Sequence, residues 1–145
     1  YYTPEGFAIY LVDMPGYGFA EAPKYKVEEW TTLVKTYMAG RQRLIRVLLL
    51  IDARHGIKAV DHEIMKLLNE TAVSFQIVLT KSDKVTPKKL DEISDATRHT
   101  LTTYTAGLSD ILVTSSVTSQ GLPELRAFLA KTYYENTLKK DPKSC

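Results

Sequence analysis

Four short apolar runs, separated by segments with helical spacing, limit most strongly the folds open to this chain. Apolar runs of this kind, near-continuous rather than alternating, are typical of strands that are covered on both faces of a parallel sheet. The runs are FAIYLV (7–12), LIRVLLLI (44–51), FQIVL (75–79) and ILV (111–113). A strand followed each time by a helix predicts an α/β domain with right-handed crossovers.

The segments between the runs supply the helices. Apolar residues recur at steps of three and four within 27–37, 57–68, 90–104 and 122–133. Gly40 is expected to end the first helix, and Thr86 and Pro87 to cap and begin the third. In the fourth helix, four side chains are expected to point inward: Leu122, Leu125, Leu129 and Tyr133. The prediction is one three-layer domain over 1–139, with a mostly parallel sheet and a frayed polar tail over 140–145.

Composition excludes several classes of function. The net charge of +2 provides no strong field for DNA or for an anionic membrane, and the longest apolar run is far too short to span a bilayer. The single cysteine, Cys145, leaves no internal disulfide framework and suits a reducing compartment. We therefore expect a domain with no membrane partner and no DNA partner.

Polar residues and glycines follow each predicted strand, where ligands bind in open parallel sheets. The loops are DMPG (13–16), DARHG (52–56), TKSD (80–83) and TSSVTSQG (114–121). The Asp13 carboxylate can hold Mg²⁺ directly or through water, and Gly16 allows a backbone N–H to approach a phosphate. The alternative for DMPG is an ordinary turn, because proline and glycine are the commonest breakers.

The TKSD loop suggests recognition of a base. The Asp83 carboxylate can accept two parallel hydrogen bonds from N1–H and the exocyclic amine of guanine, donors that adenine does not offer together. The aliphatic stem of Lys81 can lie along the base plane, and backbone N–H groups of Ser115 and Ser116 can face the guanine carbonyl oxygen. Taken alone, TKSD could equally be a solvated turn with a local lysine–aspartate pair.

The D-x-P-G, T-K-x-D and S-S motifs, in this order and each after a strand, resemble the third, fourth and fifth guanine-nucleotide motifs of translation-factor-class GTPases. Longer segments resemble the EngB (YihA) family of ribosome-biogenesis GTPases over about residues 7–129. They are LVDMPGYGFAEAPK, LLLIDARHGIK, QIVLTKSDK and VTSSVTSQGLPEL. The resemblance implies a G domain of the P-loop NTPase type.

It also implies ligands and partners. Asp13 would bind Mg²⁺ through water, the Gly16 N–H would sense the γ-phosphate, and Thr80, Lys81 and Asp83 would select guanine. The implied GTP- or GDP-binding residues are Asp13, Met14, Pro15, Gly16, Thr80, Lys81, Ser82, Asp83, Thr114, Ser115 and Ser116. The implied partner is the large ribosomal subunit, its rRNA and proteins, with a link to cell division and septation. The implied compartment is the bacterial cytoplasm, or the mitochondrial or plastid matrix in a eukaryote.

The sequence departs from the family pattern in two places. No G-x-x-x-x-G-K-[ST] phosphate loop and no Gly-Lys dipeptide occur in the 145 residues. In the family this loop precedes the D-x-P-G strand, so the chain is expected to be a G domain truncated at its N-terminus that binds GTP weakly and is inactive alone. Tyr17 stands where many GTPases place a water-orienting glutamine, which predicts slow GTP hydrolysis in the intact protein.

Other functions remain open at this point. The main alternative is a non-hydrolysing module that docks on the ribosome or on another protein. A flavodoxin-like domain is disfavoured because it has no need of TKSD, and a metal site at His55 and His62 lacks a convincing ligand set. Trp30 is expected in the core, although it could stack on RNA.

Overall fold

The computed structural model describes residues 9–14, 16, 24–40 and 44–139. Its helices and strands alternate along the chain, which confirms the predicted α/β class. The elements are α1 (Lys24–Gly40), β1 (Val47–Asp52), α2 (Ala59–Glu70), β2 (Phe75–Thr80), α3 (Pro87–Leu101), β3 (Leu112–Val113) and α4 (Leu122–Leu138).

The three described strands form one parallel sheet in the order β1-β2-β3. The pairing of β1 with β2 runs in register from Val47 opposite Phe75 to Asp52 opposite Thr80. On the other side of β2, Leu79 pairs with Val113 of β3. Because the strands are parallel, their carboxyl ends meet at one edge of the sheet. The loops after 52, 80 and 113 therefore leave the sheet side by side.

The core lies between one face of this sheet and the helices α2 and α3. Alternate strand residues and inward helix residues make up the main buried cluster, among them Leu49, Ile51, Phe75, Ile77, Leu79, Ile64, Met65, Leu68, Ile93 and Leu101. In β2, residues 75–79 are all buried, as the near-continuous apolar run predicts. In β1 the same prediction is wrong, since Leu50 is 63% exposed. Leu50 points to the opposite face, which the described residues leave largely uncovered there.

Arg46 connects the sheet to α4. The Arg46 Nη1 donates to Thr132 Oγ1 at 2.9 Å, and the guanidinium lies 5.2 Å from the centre of the Phe128 ring. Strand β1 begins directly after Arg46, at Val47, three residues later than predicted. No residue of α4 is buried, and its four predicted inward side chains are only half-buried. Among the described residues, α4 therefore lacks enough packing partners to bury its apolar stripe.

Only part of the first predicted strand, 7–12, lies among the described residues. Within 9–12 the structure shows a single β-bridge, at Leu11, so the strand predicted there is not formed in these residues. An extended segment becomes a strand only where a neighbour pairs with it along several residues. The predicted tail (140–145) and the side chain of Trp30 lie outside the described part of the chain.

Helix ends mostly follow the local signals. Helix α1 ends at Gly40, and Thr86 caps α3 by accepting from the Lys89 N–H at 3.3 Å, with Pro87 in the first turn. Helix α3 ends at Leu101, so the predicted helical position of Tyr104 is wrong. Tyr104 lies in the following loop and packs edge-on against Phe75, with ring centres 6.2 Å apart.

Candidate functional site

The TKSD segment begins at a firmly held point, the last residue of β2. The Thr80 carbonyl accepts a hydrogen bond from the Ala53 N–H at 2.8 Å. The Thr80 hydroxyl donates to the Ile51 carbonyl at 3.3 Å. Both contacts join β2 to the end of β1. The residues after Thr80 therefore start from a fixed position at the edge of the sheet.

Lys81 then turns the chain sharply. Its backbone lies in the left-handed region, with φ 57° and ψ 37°, and a 3-10 turn over Ser82–Lys84 follows. For a residue other than glycine this conformation costs about 1 kcal/mol, so surrounding contacts must hold it. The Ser82 N–H donates to the Thr114 carbonyl at 3.1 Å, and the Lys84 N–H donates to the Lys81 carbonyl at 2.9 Å. The turn is thus fixed to the end of β3.

The side chain of Lys81 pairs with the last residue of β1. Its Nζ lies 3.0 Å from Asp52 Oδ2. Arg54 binds the same carboxylate through Nη2 to Oδ2 at 2.7 Å and Nε to Oδ1 at 3.0 Å, and the Arg54 backbone N–H adds a bond to Oδ1 at 2.9 Å. The hydrogen bonds from Arg54, followed by those from Lys81, hold the pKa of Asp52 far below its usual range, although burial opposes this shift.

The lowered pKa of Asp52 predicts its behaviour in acid. Stability from this carboxylate is fully present above the unfolded aspartate pKa, about 3.9, and is lost only as pH falls through the lower folded pKa. We expect a carboxyl ¹³C titration to show Asp52 still charged at pH values where an ordinary aspartate is protonated. The substitution Arg54→Ala should raise the pKa of Asp52. Titration of wild-type Asp52 at the ordinary value would contradict the pairing.

Ser82 and Asp83 are held by the loop after β3. The Ser115 Oγ donates to Asp83 Oδ1 at 2.6 Å, and the Ser82 Oγ donates to Gln120 Oε1 at 3.0 Å. Ser115 is fully buried, and its Oγ also accepts from the Thr118 N–H at 3.1 Å. The two loops that carry the predicted base-recognition residues are therefore tied together through side chains.

The Asp83 carboxylate is poised as an acceptor. The hydrogen bond from Ser115 is the main cause that lowers its pKa, and the nearby Lys84 ammonium, 3.8 Å from Oδ2, acts in the same direction. Asp83 is therefore charged at neutral pH. A charged carboxylate with one oxygen engaged by a neutral hydroxyl keeps lone pairs for two further donors.

The structure brings together most of the residues predicted for base recognition. It differs from the prediction at the backbone N–H of Ser115. Thr80, Lys81, Ser82 and Asp83 form a continuous turn, and Thr114 joins it because its N–H and hydroxyl donate to the Leu79 carbonyl at 2.7 and 3.1 Å. The Ser115 N–H already donates to the Gln120 carbonyl at 3.0 Å, so it is not available to a base as predicted. Ser116 is exposed, and the role of its N–H toward a base stays a prediction.

The residues predicted for phosphate and Mg²⁺ are described only in part. Asp13 and Gly16 are exposed, and Met14 packs half-buried against the core. Pro15 and Tyr17 lie outside the described residues. The prediction that Asp13 and Gly16 share an edge with Asp83 stays a prediction.

Sequence reasoning assigned no role to two residues that the structure places at this site, Asp52 and Gln120. Asp52 ends β1, and a signal for it existed, because a parallel register that aligns the two strand ends sets Asp52 opposite Thr80. Gln120 precedes Gly121, which has φ 74° and marks the turn into α4. Its contacts with Ser82 and Ser115 depend on how the loop folds back, and no local pattern signals this.

Comparisons with known proteins agree with this geometry. The family model described as the elongation factor Tu GTP binding domain matches residues 31–135. A probable GTP-binding protein EngB of Nitrobacter winogradskyi is 50% identical over 128 residues, which are 88% of this chain and 59% of that protein. One of Jannaschia sp. is 54% identical over 121 residues, 83% of this chain and 56% of that protein. The chain thus spans somewhat over half the length of the curated relatives it matches.

Solved structures support the fold alone. Elongation factor SelB of Methanococcus maripaludis in its apo form matches with a TM-score of 0.57 and 24% identity, over 61% of this chain and 20% of that one. The same factor in complex with the GTP analogue GPPNHP matches with a TM-score of 0.60 and 22% identity, over 70% of this chain and 23% of that one. Among the described residues, no helix combines the length and apolarity needed to cross a membrane.

Proposed function

The chain belongs to the GTP-binding domain family of elongation factor Tu, with EngB proteins as relatives at about 50% identity, and from this premise we propose that it supplies the guanine-recognising part of an EngB-type GTPase. One observation carries the proposal. Three consecutive side chains, Lys81, Ser82 and Asp83, are each held by a residue from outside the segment, at the end of β1 or in the loop after β3. A solvated turn with a local lysine–aspartate pair would not need three separate tertiary partners.

The chemistry of Asp83 favours guanine. Its carboxylate would accept from the guanine N1–H and the exocyclic amine, while the Ser116 N–H would donate to the carbonyl oxygen. Each charge-assisted hydrogen bond of this kind contributes about 1.5–3 kcal/mol. Adenine presents an acceptor where guanine has N1–H, so a carboxylate there would face a lone pair. The stem of Lys81 would lie along the base plane.

The phosphate side of the nucleotide is less complete in this chain. We propose that Asp13 faces Mg²⁺ through water and that the Gly16 N–H faces the γ-phosphate, with Met14 and Pro15 forming the loop between them. A single carboxylate does not make a magnesium site by itself, and Mg²⁺ usually depends on substrate phosphates for further ligands. Because the 145 residues contain no phosphate loop, base contacts must supply most of the affinity that this chain has.

Selective but weak binding of guanine nucleotides is the expected result for this chain. We expect GDP to bind with a dissociation constant of about 1 mM, roughly 4 kcal/mol, and ADP to bind far more weakly. Titration of the ¹⁵N-labelled chain should shift the amide signals of 80–83 and 114–116 with GDP and leave them in place with ADP. Equal responses to the two nucleotides would contradict guanine recognition. Tight binding of a fluorescent GTP analogue would contradict the predicted weakness.

The wider role of the whole protein is proposed from the resemblance of the sequence to EngB GTPases. We propose that it hydrolyses GTP as a switch in the assembly of the large ribosomal subunit, in contact with rRNA and ribosomal proteins, and that it is linked to cell division and septation. Hydrolysis is expected to be slow without a partner, because Tyr17 cannot orient water as glutamine does. The proposed compartment is the bacterial cytoplasm, or an organelle matrix in a eukaryote.

A further inference from the structure

The aspartate at the end of β1 faces the lysine of segment 80–83, which is the proposed guanine-recognition segment. Asp52 and Thr80 are partners in the β1–β2 register, so the carboxylate of Asp52 lies beside the residue that follows Thr80. That residue is Lys81, whose Nζ lies 3.0 Å from Asp52 Oδ2. Lys81 has a left-handed backbone conformation, and its long side chain reaches back to the end of the neighbouring strand.

The Asp52 carboxylate is itself fixed before it meets the lysine. Arg54 holds it through Nε, Nη2 and its own backbone N–H, all within 3.0 Å. The Asp52 side chain is 20% exposed, while the side chains of Arg54 and Lys81 are 46% and 54% exposed. The carboxylate is therefore a rigid anchor, whereas its two cationic partners are free to hydrate if it is removed. Loss of the Asp52 charge should remove the stability that this pairing contributes, because the pKa of Asp52 is lowered in the folded state.

We propose that Asp52 is a positioning residue for guanine binding, which acts by anchoring the Lys81 ammonium so that the lysine stem is already ordered when the base arrives. This inference rests on the proposed function. Ordering a lysine side chain costs conformational entropy, and the anchor removes that cost from the binding step. Asp52 does not touch the base. Its whole effect on affinity passes through Lys81.

The affinity test is a double-mutant cycle on this chain. We expect Asp52→Asn to weaken GDP binding by about threefold to fivefold, the size expected for an exposed charge pair, with ADP binding unaffected. Lys81→Ala should weaken GDP binding at least as much. In the Lys81→Ala background the further substitution Asp52→Asn should have no effect. Independent losses that add in the double variant would overturn the proposal.

The matched control changes an aspartate of another ion pair in the same way. Asp95 on α3 pairs with Arg98 at 3.0 Å on the surface. The substitution Asp95→Asn should leave the GDP dissociation constant unchanged, which separates the effect of Asp52 from a general change in surface charge. Asp52→Asn should unfold at a lower temperature than the wild type, since it loses the paired carboxylate, and GDP titrations are made well below that temperature, where both are folded. An equal loss of GDP affinity in both variants would count against a specific role for Asp52.

A second measurement needs no ligand and so separates this inference from the proposed function. Relaxation of the Lys81 ¹³Cε signal should report a restricted side chain in the wild type. In Asp52→Asn it should become as mobile as that of Lys88, an exposed lysine on α3. Equal mobility of Lys81 in the two proteins would overturn the anchoring. Failure of the wild type to bind GDP would contradict the proposed function. The relaxation measurement would still decide whether Asp52 restricts the motion of the Lys81 side chain.

Discussion

Replacement of Gly121 by alanine is expected to destabilise the domain by about 3 kcal/mol or more and to abolish GDP binding. Gly121 has φ 74°, and a Cβ added there would lie 1.8 Å from the Val113 carbonyl oxygen and 2.9 Å from the Val113 carbonyl carbon. These are backbone atoms of β3, so they cannot move aside as a flexible side chain can. The preceding residue, Gln120, would move with the turn and lose its contact with Ser82.

Gly56 provides the matched control for Gly121. It also has a positive φ, 67°, but a Cβ there would meet only Ile93 Cγ2 at 3.6 Å, an ordinary contact. Gly56→Ala should therefore cost only the conformational strain, about 1 kcal/mol. Urea unfolding of the two variants and the wild type measures their free energies of unfolding. The difference between the variants separates the cost of the steric clash from the cost of backbone strain. A Gly121→Ala variant no less stable than Gly56→Ala would contradict the close approach of the loop to β3.

The substitution Asp83→Asn is expected to change the preferred base from guanine to xanthine. An asparagine still accepts from the base N1–H, but its amide N–H₂ faces the guanine amine, a second donor. Xanthine has a carbonyl oxygen at that position, which can accept from the amide. The variant loses the charge-assisted hydrogen bond from the guanine amine and sets two donor groups against each other. The affinity for GDP should therefore fall by roughly a hundredfold. Xanthosine diphosphate should bind with about the wild-type affinity for GDP.

Asp83→Asn should keep the fold. In the wild type the Ser115 hydroxyl donates to Asp83 Oδ1, and the Oδ1 of an asparagine can accept the same hydrogen bond. Asp91→Asn on the exposed face of α3 is the control and should keep the preference for GDP. Amide shift titrations with GDP and xanthosine diphosphate measure both preferences. If Asp83→Asn kept its preference for GDP, the carboxylate would not be the group that reads the base.

Local signals predicted most of the described helices and strands, but they did not predict which residues are covered by other parts of the molecule. Thr86 and Pro87 begin α3 and Gly40 ends α1 as expected, because capping depends on neighbouring residues in sequence. The exposure of Leu50 and the half-burial of α4 were not predicted. An apolar run indicates that a strand can be covered on both faces. Whether a second layer reaches a given residue depends on distant parts of the molecule.

The candidate site could also be predicted only in part from the sequence. The segment 80–83 and the loop 114–116 could be placed from their positions after predicted strands. The partners that hold them could not, because Asp52 meets Lys81 only through the β1–β2 register and Gln120 meets Ser82 only through the fold of its loop. The use of the Ser115 N–H by Gln120 also escaped prediction, since it depends on that same loop.

The proposed guanine recognition depends on the Asp83 carboxylate, which is held by Ser115 and would bind the Watson–Crick edge of guanine. A crystal structure of this chain with guanosine monophosphate tests it most directly. We expect one Asp83 oxygen at hydrogen-bond distance, about 2.9 Å, from guanine N1 and the other at a similar distance from the exocyclic amine. The Lys81 stem should lie against the ring, with its ammonium still on Asp52. Guanine bound away from Asp83, or absent at saturating nucleotide, would contradict recognition of the base by Asp83.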